Sequence, residues 1–294
     1  MSANFYRVIA TMAAPEIKPP DIDPKPFHDF EHAGWQHAAS DYHCYFGSLT
    51  SQAIGPLLNA VGQPAAASES KLLDIASGPG YVSAEASRRG WSVTGIDFSE
   101  SMLELARGIH PKIEFRHGDA EALAFADASF EAAVMNFGVL HLAQPEAALR
   151  EAFRVLRPGG RFAFTVWAAP DKTLGFQIVL DAVAELGDPN VTLPAGPPFF
   201  RFSDPAESRR ALGSAGFVDA HAEQIPLVWR LDSATIFFEA FLRGSARTGG
   251  LLNAQQPAAL AEIRAAVEER VAAFTRKGRL EIPMPALVAS ARTQ

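Results

Sequence analysis

The stretch Leu72-Leu-Asp-Ile-Ala-Ser-Gly-Pro-Gly80 decides the fold of this sequence. A short apolar run leads into a tight turn, and the helical pattern over residues 81–89 that follows the turn stops at Gly90. Gly78 and Gly80 allow the backbone to turn sharply and allow a ligand to approach the chain closely. The stretch therefore predicts a strand, a turn and a helix that meet at a ligand-binding edge.

Strand and helix patterns keep alternating after this turn. Apolar strand patterns occur over residues 71–76, 91–97, 113–118, 130–136 and 161–167, with helical segments between them. Such alternation predicts a parallel sheet that is covered by helices on both faces. Runs such as 162–167 are typical of strands that are buried on both sides.

The part after residue 168 is less regular. Its patterns predict helices and a proline-rich loop, followed by two further strands: helices at 172–186, 204–215, 232–245 and 256–276, a loop at 187–203, and strands at 217–229 and 286–291. Pro283 and Pro285 favour an edge position or a bulge for the last strand, because proline cannot donate to a central ladder.

Length and composition limit the remaining possibilities. The 294 residues allow one large domain or two small ones. A net charge of -7 provides no field for non-specific binding of nucleic acid.

We find no apolar run that approaches the ~20 residues needed to span a bilayer, so we expect no membrane insertion. Cys44 is the only cysteine, which fits a reducing compartment, and we expect a cytoplasmic protein. The sequence leaves the oligomeric state open.

Asp97 follows the second predicted strand, 23 positions after Asp74. At the carboxyl edge of a parallel sheet, a carboxylate can accept both hydroxyls of a ribose. Its alternative role is to cap the helix that begins near Ser99.

The turn at 76–81 disfavours a dinucleotide site. Pro79 lacks the N–H that a pyrophosphate would use, and Tyr81 stands at the third glycine position of the Gly-x-Gly-x-x-Gly motif. The turn therefore favours a nucleoside without phosphates, although an ordinary strand-to-helix turn would have the same residues.

Asp119 and Ala120 follow the third predicted strand. The carboxylate can accept from the amino group of an adenine, and the Ala120 N–H can donate to a ring nitrogen. Phe98 and Met102 could enclose the adenine between apolar faces. The plainer alternatives are a turn aspartate and ordinary core residues.

Four stretches in ordered succession carry a resemblance to a known family. They are Leu72–Gly80, Thr94-Gly-Ile-Asp-Phe-Ser99, His117-Gly-Asp-Ala-Glu121 and Arg154-Val-Leu-Arg-Pro-Gly-Gly160. This pattern resembles the class I methyltransferases, and within them the type 11 branch, which includes quinone-biosynthesis enzymes. The resemblance covers roughly residues 70 to 168.

The resemblance implies a cofactor, S-adenosylmethionine. The family binds it at the positions matching Gly78, Asp97, Asp119 and Asn136, and Ala76 stands where the family usually has glycine. The cofactor-binding residues that we predict are Asp74, Ala76, Gly78, Gly80, Asp97, Phe98, Met102, Asp119, Ala120 and Asn136. We predict an α/β, Rossmann-like, doubly wound fold with a seven-stranded, mostly parallel sheet. The fold would also carry an N-terminal helical lid and a helical insertion before the last strand.

We expect four segments along the chain. They are a flexible tail at 1–26, a lid at 27–64, a cofactor-binding core at 70–168, and an acceptor-side, sheet-completing segment at 169–294. The sequence does not decide whether Met1 or Met12 is the true start.

The resemblance also implies methyl transfer by in-line displacement. The aromatic-rich segments 197–202 and 237–241 favour a small, aromatic or hydrophobic acceptor. His141 is the candidate base, because histidine suits proton removal at neutral pH, but it could equally pack or position the chain. Aromatic residues that could frame the acceptor are Trp35, Tyr42, Phe199 and Phe200, with plain core as the alternative. A different class of function is a non-catalytic S-adenosylmethionine-binding regulator or partner subunit.

The histidines at positions 28, 32, 37 and 43 raise the question of a metal site. Their spacing matches no zinc signature, so we predict none.

Overall fold

The computed structural model describes residues 23–65 and 70–294. Both candidate start positions, Met1 and Met12, and the expected tail as far as residue 22 lie outside the described residues. The last residues of the expected tail, 23–26, are described, and a helix begins there at Lys25. The segment expected as a helical lid, 27–64, consists of a long helix, two short turns of helix and a further helix that ends before Gly62. The first is α1, Lys25–Tyr45, and it covers one edge of the sheet described next.

Ten strands are present in the described residues. They are β1 Lys71–Ile75, β2 Ser92–Asp97, β3 Glu114–His117, β4 Phe130–Asn136, β5 Leu156–Trp167, β6 Val218–Ile225, β7 Val228–Leu231, β8 Thr275–Arg276, β9 Arg279–Pro283 and β10 Ala286–Arg292.

The remaining helices are α2 Gly47–Thr50, α3 Ile54–Val61, α4 Tyr81–Arg88, α5 Glu100–Ile109, α6 Pro145–Val155, α7 Leu174–Leu186, α8 Pro205–Ser214, α9 Ala234–Gly244, α10 Arg247–Asn253 and α11 Pro257–Ala272. Short 3₁₀ helices lie at Ser51–Ala53, Val139–His141 and Arg201–Ser203.

Seven strands form the main sheet in the order β3-β2-β1-β4-β5-β10-β6. The strands from β3 to β5 run parallel, and β10 pairs antiparallel with both β5 and β6. The predicted seven-stranded, mostly parallel sheet is thus confirmed. Because the first five strands are parallel, their carboxyl ends meet at one edge.

Helices cover both faces of this sheet, as the apolar strands predict. Leu72 and Leu73 are fully buried neighbours in β1, yet they belong to different apolar clusters because successive side chains point to opposite faces. Leu72 packs with the α3 side chains Leu57 and Leu58. Leu73 packs in the larger cluster, which continues through the phenylalanines of β5 into the carboxyl-terminal half of the chain.

Two expectations about the carboxyl-terminal half are wrong. The strand expected over 217–229 is two strands in different sheets, because Pro226 separates β6 from β7. The expected edge position of the last strand is also wrong, because β10 lies between β5 and β6; the alternative of a bulge finds a counterpart in the register shift against β6 between Ser290 and Arg292, away from the prolines. Pro283 ends β9 and Pro285 precedes β10, so neither has to donate within the central ladder, and the Pro285 carbonyl accepts the Ala168 N–H at 3.0 Å.

A second, three-stranded sheet of order β7-β9-β8 was not expected from the sequence. It lies with helices α9 to α11 between β6 and β10 in the chain, where the sequence predicts two helices after residue 229. None of the helices in the described part of the chain combines the length and apolar character required to cross a bilayer.

Candidate functional site

A cavity with about 1220 Å³ of space, including its open mouth, lies at the carboxyl edge of the sheet under α1. Residues at or just after the ends of the five parallel strands line it: Ala76–Pro79 after β1, Asp97 and Phe98 at β2, Gly118–Glu121 after β3, Asn136–Gly138 at β4 and Trp167 at β5. The position agrees with the rule that open α/β sheets bind ligands at this edge.

The turn after β1 consists of unusual backbone conformations. Ala76, Gly78 and Gly80 have φ angles of 53°, 50° and 81°. A side chain at Gly80 would come within 2.5 Å of the Phe115 ring, whereas one at Gly78 would meet nothing within 4 Å. Gly80 is therefore required for packing as well as for conformation, and Gly78 leaves its backbone open towards the cavity.

Asp97 fixes this turn. Its two carboxylate oxygens accept the backbone N–H groups of Gly78 at 2.8 Å and Ser99 at 2.9 Å. Burial raises the pKa of Asp97 to about 6, although both N–H groups favour the charged form. Each oxygen keeps a second lone pair, so the carboxylate can still accept hydrogen bonds from a ligand in the cavity. Capping of α5 falls to Ser99, whose Oγ accepts the Met102 N–H.

Asp74 lies behind the turn and does not line the cavity. Its side chain is fully buried, and Oδ2 accepts the Ser83 hydroxyl at 2.6 Å while Oδ1 has no hydrogen-bond partner. Burial raises the pKa of Asp74 to about 7. The residue thus holds α4 against β1 from the interior.

Asp119, Ala120, Phe98 and Met102 form one end of the cavity. Asp119 Oδ1 accepts the Glu121 N–H at 2.8 Å, and Oδ2 lies 3.3 Å from His28 Nε2. This histidine nitrogen is buried and makes no aligned hydrogen bond. The end therefore presents a carboxylate, an unsatisfied imidazole nitrogen and two apolar side chains, a combination that suits a purine.

The side chain of Asn136 is engaged within the protein. Its Nδ2 donates to the Thr50 carbonyl at 3.3 Å, and its Oδ1 accepts the Thr165 hydroxyl at 2.7 Å. The backbone then turns through Phe137, with a φ of 55°. A side chain at Gly138 would approach the Ala76 Cβ to 2.8 Å. The ends of β1 and β4 are therefore close, and at this strand end the main chain, not the Asn136 side chain, is available to a ligand.

Aromatic side chains form the opposite end of the cavity. Trp35 of α1 meets the rings of Tyr42 and His141 edge-on, with centroids 5.4 and 4.7 Å apart. Phe199 lies 5.9 Å from His141 and packs on Phe176. Burial raises the pKa of Tyr42 to about 12, so its phenol stays protonated. Aromatic rings thus dominate this part of the lining, together with the His141 imidazole and the Arg247 guanidinium, which lies 5.3 Å from the Phe199 ring centroid.

Phe200 does not line the cavity. Its ring packs edge-on against Phe176 at 5.6 Å and against Phe199 at 4.9 Å. The loop 187–203 thus presents Phe199 to the cavity and keeps Phe200 behind it.

The structure adds a buried ion pair that sequence reasoning missed. Glu31 of α1 is fully buried, and its carboxylate lies 3.0 Å from both Arg247 Nε and His141 Nδ1. Arg247 also donates to the carbonyls of Pro197 at 2.8 Å and Leu140 at 3.0 Å. The pair therefore ties together the lid helix, the loop after β4, the 187–203 loop and α10.

Electrostatics favour the charged form of Glu31. Burial alone would raise the pKa of Glu31, but the facing His141 and Arg247 hold it below its ordinary value. Burial lowers the pKa of Arg247, and the Glu31 charge offsets part of this effect. The guanidinium therefore stays protonated.

One signal for this pair was available in the sequence. Glu31 shares a helix face with Phe27 and Trp35 by its i,i+4 spacing, and so places a charge in an apolar stripe. No comparable signal marks Arg247.

The four histidines of α1 are spread along the helix. His28 and His32 meet Phe98 edge-on, His37 bonds the Ala33 carbonyl, and His43 bonds the Tyr81 hydroxyl. Over 23–65 and 70–294, no group of three or more His, Cys, Asp or Glu side chains is gathered as metal ligands would be.

Comparison with known proteins agrees with this geometry. Residues 73–164 match the family described as methyltransferase domain, type 11. The demethylmenaquinone methyltransferase of Clavibacter sepedonicus is 38% identical over 120 residues, which are 39% of this chain and 49% of that protein. The ubiquinone/menaquinone biosynthesis C-methyltransferase UbiE of Bradyrhizobium diazoefficiens is 41% identical over 115 residues, 36% of this chain and 46% of that protein. The chain thus spans about half the length of the curated relatives it matches.

Solved structures share the fold. The YcgJ protein of Bacillus subtilis superposes with a TM-score of 0.53 at 19% identity, covering 83% of this chain and 98% of that one. Phosphoethanolamine N-methyltransferase 2 of Haemonchus contortus, solved with S-adenosyl-L-methionine, superposes with a TM-score of 0.56 at 18% identity, covering 91% and 60%. The ordered strand-end motifs, the sheet order and the matched segment agree, and residues 73–164 are similar to the methyltransferase domain of the type 11 family.

Proposed function

We propose that this protein binds S-adenosylmethionine and transfers its methyl group to a small acceptor with a flat, apolar body. The observation that carries the proposal is the bond between Asp97 and the Gly78 N–H at the wall of the cavity. It places a carboxylate with spare lone pairs beside an open glycine backbone, which is what a ribose without phosphates requires.

The residues present fit this cofactor. Asp97 would accept the ribose hydroxyls, and Asp119 with the unsatisfied His28 nitrogen would meet the adenine between Phe98 and Met102. The main chain at 136–138 would face the amino-acid part. Pro79 lines the turn without an N–H, which disfavours a pyrophosphate ligand such as NAD.

When bound, S-adenosylmethionine supplies a methyl group already activated by the positive sulfur. The protein then has to align the acceptor and exclude water. Trp35, Tyr42 and Phe199 provide ring surfaces at the end of the cavity away from Asp119. Ring faces are negative and tolerate a nearby cation without donating a competing charge.

The lining of the cavity continues beyond the residues that would hold the cofactor. Trp35, Phe176 and Phe199 line it in addition to Asp97 and Asp119. This further lining favours an acceptor beside the cofactor over a non-catalytic binding protein. The quinone-biosynthesis relatives favour a phenol or quinol as the first acceptors to test.

The experiment is a transfer assay with methyl-labelled S-adenosylmethionine and a panel of phenols, quinols and carboxylic acids. We expect label on at least one aromatic acceptor. Binding of S-adenosylhomocysteine with no label transferred to any member of the panel would favour the regulator or partner-subunit alternative instead.

A further inference from the structure

We propose that His141 Nε2 takes a proton from the acceptor, that Glu31 and Arg247 hold the imidazole for this task, and that the acceptor therefore carries an ionisable hydroxyl. The inference rests on the proposed methyl transfer and names the class of substrate that this transfer uses. It makes His141 a catalytic residue and makes Glu31 and Arg247 positioning residues.

The bond to Glu31 selects the tautomer of His141. The Glu31 carboxylate lies 3.0 Å from Nδ1, and an ionised carboxylate can only accept. Nδ1 must therefore carry the hydrogen. In a neutral imidazole with Nδ1–H, the other nitrogen, Nε2, has the free lone pair and can act as a base.

Nε2 is available at the cavity. His141 lines the cavity and keeps 15% of its side-chain surface accessible. Within the portion of the chain that the structure describes, no residue hydrogen-bonds to Nε2, whereas Nδ1 is engaged by Glu31. The nitrogen that the tautomer leaves basic is thus the one left for a ligand.

Arg247 compensates the buried charge of Glu31. Its Nε lies 3.0 Å from the Glu31 carboxylate. The carboxylate can therefore stay ionised, accept the Nδ1–H of His141 and support the imidazole once Nε2 takes the proton of the acceptor. The bonds of Arg247 to the Pro197 and Leu140 carbonyls prevent the guanidinium from turning away.

The surroundings of His141 indicate what approaches it. Trp35 and Phe199 flank the imidazole at 4.7 and 5.9 Å, and within the described residues Glu31 is the one charged side chain that hydrogen-bonds it. Arg247 also lines the cavity, but its guanidinium is engaged by Glu31 and two carbonyls. Flat apolar walls around one base suit an aromatic ring with a single hydroxyl directed at Nε2. A carboxylate acceptor, already ionised at neutral pH, would not need this base.

The step balances in atoms and charge. The O–H bond of the acceptor breaks and its proton passes to Nε2. The oxygen forms a new bond to the methyl carbon of the sulfonium, and the sulfur keeps the electron pair of the broken S–C bond as a neutral thioether. One positive charge thus leaves the sulfur and one appears on the imidazolium beside Glu31, so the site gains no net charge.

The first test needs no acceptor. The full chain labelled with ¹⁵N-histidine and saturated with S-adenosylhomocysteine is examined by long-range ¹H–¹⁵N NMR at neutral pH, and His141→Asn assigns the signal. We expect a neutral ring with Nδ1 protonated and Nε2 bare, and a loss of this tautomer preference in Glu31→Gln. A ring protonated on Nε2 in the wild-type protein would overturn the proposal.

The second test separates a base from a packing residue. Among acceptors found by the label-transfer panel, His141→Asn should lower kcat about 10²- to 10⁴-fold for weakly acidic phenols, the usual share of a general base. The loss should be smaller for nitrophenols, which are already largely ionised, and the affinity for S-adenosylhomocysteine should be unchanged. Equal losses for both kinds of phenol would refute the inference and leave the proposed methyl transfer standing.

Glu31→Gln gives a third comparison. Removing one member of a buried ion pair costs about 3–5 kcal/mol, so its folding is checked by thermal melting before kinetics. If Glu31→Gln folds and lowers kcat without raising the acceptor KM, a positioning role is supported. If the variant folds with kcat unchanged, Glu31 does not position the base. If it does not fold, the NMR measurement of the His141 tautomer in the wild-type protein tests the role of Glu31 instead.

Discussion

The carboxylate of Asp97 accepts the backbone N–H of Gly78 at 2.8 Å and so joins the end of β2 to the turn after β1. Two residues 19 positions apart in the chain thus form one wall of the cavity. The bond gives Asp97 a structural role beside the role in ligand binding that we propose for it.

Replacing Asp97 by alanine should weaken the binding of S-adenosylhomocysteine strongly, because hydrogen bonds to a charged acceptor are worth about 1.5–3 kcal/mol each. Calorimetry measures the dissociation constant. Asp204→Ala is the matched control, since Asp204 accepts the Ala206 N–H at the start of α8 and does not line the cavity. The control should lose stability only. An unchanged dissociation constant for Asp97→Ala would limit this residue to holding the turn.

Ala76→Gly should stabilise the protein by up to about 1 kcal/mol. Ala76 has a φ of 53°, a conformation that costs an L-residue roughly 1–2 kcal/mol, and the added freedom of glycine in the unfolded chain returns only part of this. Ala261→Gly, at an exposed position within α11, should instead lose about 0.5–1 kcal/mol. Denaturant unfolding compares the two. Equal losses would mean that the left-handed conformation of Ala76 carries no strain.

Asp74 predicts a pH dependence of stability. Burial raises the pKa of Asp74 from 3.8 to about 7. Between these values the folded protein holds a proton that the unfolded chain has released, so the free energy of unfolding falls as the pH rises through this window. Across it, the free energy of unfolding should fall by at most about 1.4 kcal/mol for each pH unit. Thermal melting from about pH 4 to pH 8 should show a steeper decline in the wild-type protein than in Asp74→Asn, which stays neutral. Parallel curves would mean that the Asp74 carboxyl titrates normally.

Phe199 and Phe200 should respond differently to truncation. Phe199→Ala should raise the acceptor KM or lower kcat with cofactor affinity nearly intact, because this ring lines the cavity. Phe200→Ala should mainly lower stability, by less than the about 3–5 kcal/mol of a fully buried phenylalanine, because its ring packs on Phe176 behind the wall. Steady-state kinetics and melting of both variants separate these effects. Preserved kinetics in Phe199→Ala would mean that the acceptor enters elsewhere.

The cofactor half of the fold could be predicted because its signals are local. The turn at Gly78 and the cap at Ser99 depend on residues within a few positions of each other, and each parallel strand is a continuous apolar run. The split between β6 and β7 does not follow from the strand pattern over 217–229, because the pattern resumes directly after Pro226. The central position of β10 depends on a partner strand more than a hundred residues away, which periodicity cannot report.

The candidate site shows the same division. Asp97 and Asp119 follow strands and were found from that position. Glu31 and Arg247 meet across 216 positions, and only their tertiary contact shows that a charged pair lies behind His141. Asp74 and Phe200 were expected at the site from their type and position, but neither lines the cavity. Residue type and position do not determine which side of a turn or loop a side chain faces.

The most direct measurement is calorimetric titration of the protein with S-adenosylhomocysteine and, separately, with NAD. We predict that S-adenosylhomocysteine binds one site per chain with a dissociation constant on the micromolar scale, a binding free energy of about −8 kcal/mol, and that NAD gives no binding signal. Binding of NAD together with no binding of S-adenosylhomocysteine would contradict the assignment of the cavity.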